Sequence, residues 1–355
     1  MFQQFESIKI RALIGARGAA SYDVAQLLTP YVGAEQASRL QASLGFEQVR
    51  FFEKGVTTGD AACAAALELY QQEHLTGADF DACIFITQSP NTVVPANTFT
   101  YQEQLGLTKD CLFLDAIQGC AGYVYGLFMA STLIAAKVAH RVLLLAGDTA
   151  DTSCLGHGMP ADFKAEDYGW QINNAAIFGD GAAATIVEYD EHSAPSAYQI
   201  DNYGERCRVV YSDLLTCLPH RDSPLHFSPS LLHIDGTALA RFAMNDVRAN
   251  IEAICTQTGT ALSDLSYCIS HQANRVLLKS LERVLKADSG FVPFLAAHTG
   301  NTSSASIPLA LSEHASDLSR CTQLPTLMTG YGVGLCVASG LASLQHSTIY
   351  APVEL

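Results

Sequence analysis

The stretch Phe113-Leu-Asp-Ala-Ile-Gln-Gly-Cys-Ala-Gly-Tyr123 decides how this chain of 355 residues folds. An apolar, strand-like run ends at Leu114, and a long uncharged helical run begins at Ala121. Cys120 lies between them, at the predicted helix N-terminus, where unpaired N–H groups and the positive end of the helix dipole favour a thiolate and can receive an oxyanion. The stretch therefore predicts a nucleophilic cysteine. A buried structural cysteine fits the same pattern.

A second stretch, Phe294-Leu-Ala-Ala-His-Thr-Gly-Asn301, repeats the spacing of the first and places Asn301 where the first has Cys120. Upstream of each stretch the pattern D-x-x-x-C-I occurs, at residues 79–84 and 264–269. Two similarities in the same order indicate an internal duplication. If a pseudo-twofold axis relates the halves, we expect Cys120, Asn301 and His271, which follows the second C-I strand, to converge between them.

The composition excludes several classes of protein. A hydrophobic content of 49% suits one large domain or two closely packed ones. A net charge of −15 and the lack of a basic run argue against a nucleic-acid surface. The 11 cysteines form no C-x-x-C and the 11 histidines no H-E-x-x-H, so we expect a reduced cytoplasmic protein without a metal site. No signal peptide is recognisable, and the uncharged run 116–136 contains a Gln and several glycines, which favours a buried helix over a membrane span.

Apolar runs typical of strands alternate with helical patterns along the chain, which predicts layers of α and β structure. We expect a helix over 58–70 with Thr57 or Thr58 as its N-cap, and a strand over 141–146 that is buried on both faces. The polar segment 190–197 is the best boundary between an N-terminal half, 1–190, which carries the cysteine, and a C-terminal half, 191–355. Further predicted elements are helices over 98–105, 237–258 and 303–318, a strand over 326–329, a turn over 330–334, and a functional irregular loop over 216–233.

Five motifs occur in one order: D-A-x-x-G-C-A-G (115–122), F-G-D-G-A-A-A (178–184), S-H-Q-A-N-R (270–275), H-T-G-N-T-S-S-A-S-I-P (298–308) and G-Y-G-V-G (330–334). In this combination the chain resembles β-ketoacyl-(acyl carrier protein) synthase III and its relatives in the thiolase superfamily, over nearly its whole length. The resemblance implies an α/β, thiolase-like fold in which two pseudo-duplicated halves form a five-layer αβαβα sandwich. It also implies a homodimer, no cofactor, and the catalytic set Cys120, His271 and Asn301.

The resemblance also implies the chemistry. Cys120 would take an acyl group from acyl-CoA or acyl carrier protein and condense it, by a decarboxylative Claisen reaction, with a malonyl-type or β-keto thioester in fatty-acid or secondary-metabolite biosynthesis. His271 and Asn301 would donate hydrogen bonds to the enolate oxygen, and the backbone N–H groups of Cys120 and Val333 would form the oxyanion hole. The remaining expected contacts are to substrate, from Val94, Asn274, Gly332, Gly334 and Phe227, and to the carrier protein, from Gln272, Arg275 and Lys279.

Each residue also has an ordinary structural interpretation, and only their joint occurrence favours the site. His271 alone fits a hydrogen-bonded core histidine, and Asn301 alone fits a turn residue after Gly300. Arg275 and the basic residues that follow it fit a solvated helix face.

Several positions depart from the family pattern, which indicates a specialised relative. Arg39 and Ser43 stand where the family has a Trp and an Arg that sandwich the CoA adenine. Val94 precedes Pro95 where many members have Phe, and Val333 replaces the central glycine of the last Gly-rich turn. Two alternatives stay open: acyl transfer to an alcohol or amine without C–C bond formation, and a non-catalytic partner subunit of a ketosynthase heterodimer. Relatives that resemble hydroxymethylglutaryl-CoA synthases use a Glu as a catalytic base at the position of Gln88. The Gln in this sequence therefore disfavours a mechanism with a Glu base.

Overall fold

The computed structural model describes residues 1–92, 94–150, 177–212 and 232–355. The strands are β1 (Phe2–Phe5), β2 (Ile8–Arg17), β3 (Ala20–Asp23), β4 (Gln48–Phe51), β5 (Ala82–Ile86), β6 (Leu112–Ala116), β7 (Arg141–Asp148), β8 (Gly181–Tyr189), β9 (Ser196–Asn202), β10 (Val210–Ser212), β11 (Leu232–Ile234), β12 (Cys268–Ser270), β13 (Thr326–Gly332), β14 (Cys336–Ala342) and β15 (Thr348–Glu354). The α-helices are α1 (Val24–Val32), α2 (Ala34–Leu44), α3 (Thr58–Glu73), α4 (Asn97–Thr100), α5 (Gly122–Ala135), α6 (Gly236–Phe242), α7 (Arg248–Thr258), α8 (Arg275–Leu285) and α9 (Ser306–Glu313).

Two sheets form the framework. The first has six strands in the order β15-β2-β8-β7-β5-β6, and the second has five in the order β1-β9-β14-β13-β12. β5 runs parallel to β6 and β7, and β12 runs parallel to β13. Because parallel strands end at the same edge of a sheet, the segments that follow β5, β6 and β12 can meet between the sheets.

The helices form three layers around the sheets. α3 packs on one face of the first sheet, α5 and α9 lie between the sheets, and α7 packs on the second sheet. β7 shows why its sequence is continuously apolar, since Leu143 and Leu145 pack towards α3 while Leu144 and Ala146 pack towards α5. The five-layer αβαβα arrangement predicted from the sequence is therefore confirmed.

The internal duplication is visible in corresponding elements. The Cys-Ile pairs of the repeated pattern lie in β5 and in β12. A 3₁₀ turn precedes each central helix, Gly119–Ala121 before α5 and Ser303–Ala305 before α9. The two halves thus present equivalent turns to the space between the sheets.

The terminal strands cross between the halves, which the sequence did not predict. β1 pairs with β9 in the second sheet, and β15 pairs with β2 in the first. The predicted boundary at 190/191 does fall between β8 and β9. The division into 1–190 and 191–355 nevertheless needs correction, because each sheet takes an edge strand from the opposite end of the chain.

Other predicted elements differ in extent. The helix expected over 98–105 is the short α4 followed by turns, and the one expected over 303–318 is a 3₁₀ turn followed by α9. The turn expected over 330–334 is partly strand, because β13 continues to Gly332. The helix expected over 58–70 is confirmed as α3, with Thr57 as its N-cap in a capping box with Asp60.

Two expectations concern regions rather than elements. The irregular loop predicted over 216–233 lies almost entirely outside the described residues. Within the described ranges, no helix has the length and hydropathy needed to cross a membrane.

Candidate active site

Cys120 lies in the 3₁₀ turn that joins β6 to α5. The glycines of β13 allow this strand to pass close to the turn. A Cβ on Gly330 would lie 2.7 Å from Ala121 Cα, and a Cβ on Gly332 would lie 3.2 Å from Cys120 Cβ. Gly119 has φ 48°, in the left-handed region that glycine adopts readily. The turn is therefore held tightly between the central helix and the second sheet.

His271 follows β12 directly, and its ring is 3% exposed. Its Nδ1 lies 2.7 Å from Ser306 Oγ at the start of α9. The ring also packs edge-on against Tyr331, with centroids 5.8 Å apart. These contacts fix the orientation of the imidazole.

Asn301 follows Gly300, which has φ 81° and so takes the left-handed conformation in this turn. The Asn301 Oδ1 accepts a hydrogen bond from the backbone N–H of Ser303 at 2.9 Å. Because the amide oxygen is used in this way, its NH2 group is the part left to donate.

A cavity of about 360 Å³ brings the three predicted catalytic residues together. Cys120 comes from the first half and His271 and Asn301 from the second, as the duplication predicts. The rest of the described lining is largely apolar and carries no charged side chain: Leu40, Ser43, Leu44, Gln88, Ile177, Phe178, Val210, Ile234, Gly236, Leu239, Ala273, Asn274, Val276, Leu277, Tyr331, Gly332 and Val333. Such a cavity suits an uncharged thioester arm or acyl chain.

Burial favours the neutral forms of both Cys120 and His271. It raises the pKa of the Cys120 thiol to about 12, and a hydrogen bond from Ser303 only partly opposes this. It lowers the pKa of His271 to about 3, so the imidazole is neutral at physiological pH. The thiolate expected at the helix terminus stays a prediction, and burial is the largest effect that opposes it.

Sequence reasoning missed Ser303 and Asp148. The Ser303 Oγ lies 3.6 Å from Cys120 Sγ and accepts a hydrogen bond from Gln88 Nε2 at 2.9 Å. Asp148, at the end of β7, accepts hydrogen bonds from the backbone N–H groups of Gln88 and Ser304. The available signals were the unusual Gln88 and the Thr-Ser-Ser run after Asn301.

The predicted substrate contacts divide into two groups. Asn274, Gly332 and Val333 line the cavity, and Asn274 also caps α8 through its Oδ1. Val94 is 84% exposed and does not line the described part of the cavity. Gly334 does not appear in the described lining, and Phe227 lies outside the described residues.

The predicted carrier contacts also need correction. Gln272 is fully buried, and its amide bonds to the backbone of Ser270 and Leu295, each at 2.7 Å, so it cannot touch a carrier protein. Arg275 donates to the carbonyl of Ala42 near the end of α2. Lys279 is exposed on α8 and remains available.

Two further observations concern the departures from the family pattern and metal binding. Arg39 pairs with Glu35 on the exposed face of α2, while Ser43 lines the cavity.

The described residues hold no cluster of three or more His, Cys, Asp or Glu that could bind a metal ion.

Comparison with known proteins places these residues in a family. The model for 3-oxoacyl-[acyl-carrier-protein] synthase III matches residues 114–204, and the model for its C-terminal region matches residues 255–344. The chain is a β-ketoacyl-(acyl carrier protein) synthase III-like enzyme of the thiolase superfamily. It is a transferase of the ketosynthase type, with acyl-enzyme condensation chemistry that belongs to fatty-acid or related biosynthesis.

Individual relatives agree with this assignment. The β-ketoacyl-[acyl-carrier-protein] synthase III of Streptococcus pneumoniae is 28% identical over 295 residues, which cover 81% of this chain and 84% of the relative. The 3-oxoacyl-(acyl-carrier protein) synthase of Burkholderia xenovorans superposes with a TM-score of 0.87 at 25% identity, over 100% of this chain and 99% of that one. Xanthomonas campestris OleA, at 18% identity and a TM-score of 0.82 over 96% of this chain and 97% of that one, shares the fold.

Proposed function

We propose that Cys120 takes an acyl group from acyl-CoA or acyl carrier protein and that the acyl-enzyme condenses with a malonyl-type or β-keto thioester. The observation that supports this most directly is the shared cavity of Cys120, His271 and Asn301. One half of the molecule supplies the nucleophile and the other supplies two neutral hydrogen-bond donors.

In the proposed acylation, the Cys120 sulfur attacks the thioester carbonyl carbon and a C–S bond forms. The oxyanion of the tetrahedral intermediate accepts hydrogen bonds from the backbone N–H groups of Cys120 and Val333. The bond to the departing sulfur then breaks, and that thiolate takes up the equivalent of the proton that Cys120 has lost.

In the proposed condensation, a malonyl-type thioester loses carbon dioxide and becomes an enolate, with negative charge on its former carbonyl oxygen. The His271 ring and the Asn301 NH2 group donate to this oxygen. A neutral imidazole carries one N–H, which can serve in this role when Nδ1 accepts a hydrogen bond from the Ser306 hydroxyl. The enolate carbon attacks the acyl carbonyl carbon, the bond from that carbon to the Cys120 sulfur breaks, and the released thiolate takes up a proton.

A homodimer is the assembly that we propose. β6 forms an outer strand of the six-stranded sheet and has no neighbour on one side among the described strands. Exposed apolar side chains surround this edge: Val94, Phe99, Leu112 and Ile117. An unpaired apolar edge is a template for a second strand, and a second copy of β6 would cover it.

The test is to incubate the protein with a panel of acyl thioesters, weigh it intact, and then add a malonyl thioester. Addition of one acyl group, followed by its loss with release of carbon dioxide, supports the proposal. Loss of the acyl group only to an alcohol or amine supports simple acyl transfer. A chain that no acyl thioester modifies would be a non-catalytic partner subunit.

A further inference from the structure

The proposed acylation needs negative charge on the Cys120 sulfur, but its described surroundings offer no positive charge. The titratable groups of the described residues that face this sulfur or share its cavity are acidic or neutral: Asp148, His271, Tyr331 and Cys336. Asp148 and Cys336 oppose the thiolate by charge. A neutral hydrogen-bond donor must therefore supply the stabilisation.

Ser303 is placed to be that donor. Its Oγ is 3.6 Å from Cys120 Sγ, and the residue is 2% exposed. Its backbone has φ 50°, an uncommon conformation for a residue other than glycine, and its N–H is bonded to Asn301. The surrounding turn therefore fixes the hydroxyl beside the sulfur.

The hydrogen bond from Gln88 restricts the directions in which the Ser303 hydroxyl can donate. The Gln88 NH2 group donates to Ser303 Oγ at 2.9 Å, and an amide NH2 cannot accept. The Ser303 oxygen thus acts as acceptor on that side, so its own hydrogen points elsewhere. Its acceptors are the Cys120 sulfur, 3.6 Å away, and the Asp148 carboxylate, to which the Ser303 side chain also bonds.

One buried carboxylate holds both ends of this arrangement. Asp148 Oδ1 accepts from the backbone N–H of Gln88 at 2.7 Å, and Oδ2 accepts from that of Ser304 at 3.0 Å. Gln88 follows β5 in the first half, whereas Ser304 belongs to the second. The carboxylate of Asp148 therefore fixes the position of Gln88, in the first half, relative to the turn of the second half that carries Ser303.

We propose that Gln88 and Ser303 form a hydrogen-bond relay that stabilises the Cys120 thiolate for its attack on the thioester, which rests on the nucleophilic role proposed above. Ser303 keeps its proton throughout, and no covalent bond to it forms or breaks. Ser303 is a catalytic residue because it contacts the reacting sulfur. Gln88 is a positioning residue that acts through Ser303.

The test is the pH profile of alkylation of Cys120 by iodoacetamide, followed by peptide mass. Ser303→Ala and Ser303→Gly should slow alkylation about tenfold and move the profile up by roughly one pH unit, because a lost charge-assisted hydrogen bond is of this order. The glycine variant also relieves the left-handed backbone, so it separates loss of the hydroxyl from loss of folding. Thr132→Ala, which removes an exposed hydroxyl from α5, is the matched control and should leave the profile unchanged.

Two substitutions at Gln88 test the direction of the relay. Gln88→Glu introduces an acceptor that draws the Ser303 proton away and adds negative charge, so its profile should shift further than that of Gln88→Leu. Wild-type profiles in both Ser303 variants, or a shift in Gln88→Leu as large as in Gln88→Glu, would refute the relay.

Acylation by an acyl thioester is measured on the same proteins, so that the two proposals fail separately. Shifted alkylation profiles in a protein that no thioester acylates would keep the relay and reject the proposed function. Acylation of the wild type together with unshifted profiles in the variants would reject the relay alone.

Discussion

At the scale of single residues, the site holds two titratable groups whose charges burial suppresses. Burial raises the pKa of Cys120 and lowers that of His271, because in both cases the low-polarity cavity disfavours the charged form. The site is therefore neutral at rest, and charge on the sulfur forms only with help from hydrogen-bond donors.

We predict that Cys120→Ala abolishes acyl attachment, whereas Cys63→Ala does not. Cys63 is fully buried in α3, and burial also raises its pKa to about 12, so it is a matched control for a cysteine outside the cavity. Because the Cys120 pKa lies far above neutral, the rate of acylation in the wild type should rise with pH through the alkaline range. Intact-mass measurements check both statements, and acylation that persists in Cys120→Ala would reject the nucleophile.

We predict that His271→Ala and Asn301→Ala each keep acylation but lose about 10²–10³ in the rate of condensation, as expected for removal of one oxyanion donor. Because the pKa of His271 is about 3, the ring stays neutral as the pH falls from 8 to 5. The condensation rate of preformed acyl-enzyme should therefore show no inflection near pH 6.5 from this histidine. Stopped reactions analysed by mass give the rates, and wild-type condensation in both variants would contradict the assignment.

The sequence was sufficient to predict that Cys120, His271 and Asn301 converge, as their shared cavity shows, but not which groups surround them. Their motifs carry a recognisable spacing, and the duplication indicated that they converge. Ser303 and Asp148 act through contacts between residues more than 150 positions apart, as in the bond from Ser304 to Asp148. Such contacts leave no periodic pattern in the chain, and the available signals were the unusual Gln88 and the Thr-Ser-Ser run after Asn301.

At the scale of elements, the approach of β13 to the Cys120 turn depends on Gly330. We predict that Gly330→Ala lowers the free energy of unfolding by about 1–3 kcal/mol, because its Cβ would overlap the Ala121 backbone. The displaced turn should also slow acylation. Gly204→Ala is the control, because a Cβ there meets no atom within 4 Å. Denaturant unfolding gives the stabilities, and equal values for the two variants would contradict the packing argument.

The contact of Arg275 with α2 separates two roles for the basic residues of α8. Arg275→Glu removes the bond to the Ala42 carbonyl and should slow reaction with carrier-bound and small thioesters alike, because α2 lines the cavity. Lys279→Glu with Arg283→Glu should slow only the carrier-bound substrate, and that rate should fall with salt. Rates with both donors at two ionic strengths check this. Equal rates for wild type and the double variant would mean that these charges are only a solvated face.

Elements with strong local signals were predicted well, and those fixed by distant partners were not. α3 has a capping box and β7 a continuous apolar run, and both were found. β1 and β15 were missed because each becomes a strand by pairing with a segment from the other end of the chain. α4 is shorter than predicted: it ends at Thr100, and turns follow over 101–106.

At the scale of the whole molecule, we predict a homodimer formed through the β6 edge. Phe99→Glu should produce monomers, because it places a charge on the apolar surface, whereas Val138→Glu, an equally exposed apolar position outside that surface, should not. Sedimentation velocity distinguishes the two states. A wild-type monomer, or a dimer that Phe99→Glu leaves intact, would reject this interface.

The proposed dimer would also allow Val94 to make the substrate contact that the sequence predicts. Since Val94 is exposed and does not line the described part of its own chain's cavity, we expect it to reach an acyl group from the partner subunit of the proposed dimer. Because the larger side chain would shorten the space for an acyl group, Val94→Phe should then shift the preference of the dimer towards shorter acyl chains, which intact-mass measurements with a panel of acyl thioesters check.

The crossing of the terminal strands has a consequence for how the chain is made. During translation β2 appears early, but β15, which covers one of its edges, is synthesised after every other strand that the structure describes. The first sheet is thus incomplete while the second half is still being synthesised, and its open edge can pair with a neighbouring nascent chain. A message truncated shortly before residue 348 would yield a protein with every active-site residue present and an aggregation-prone edge.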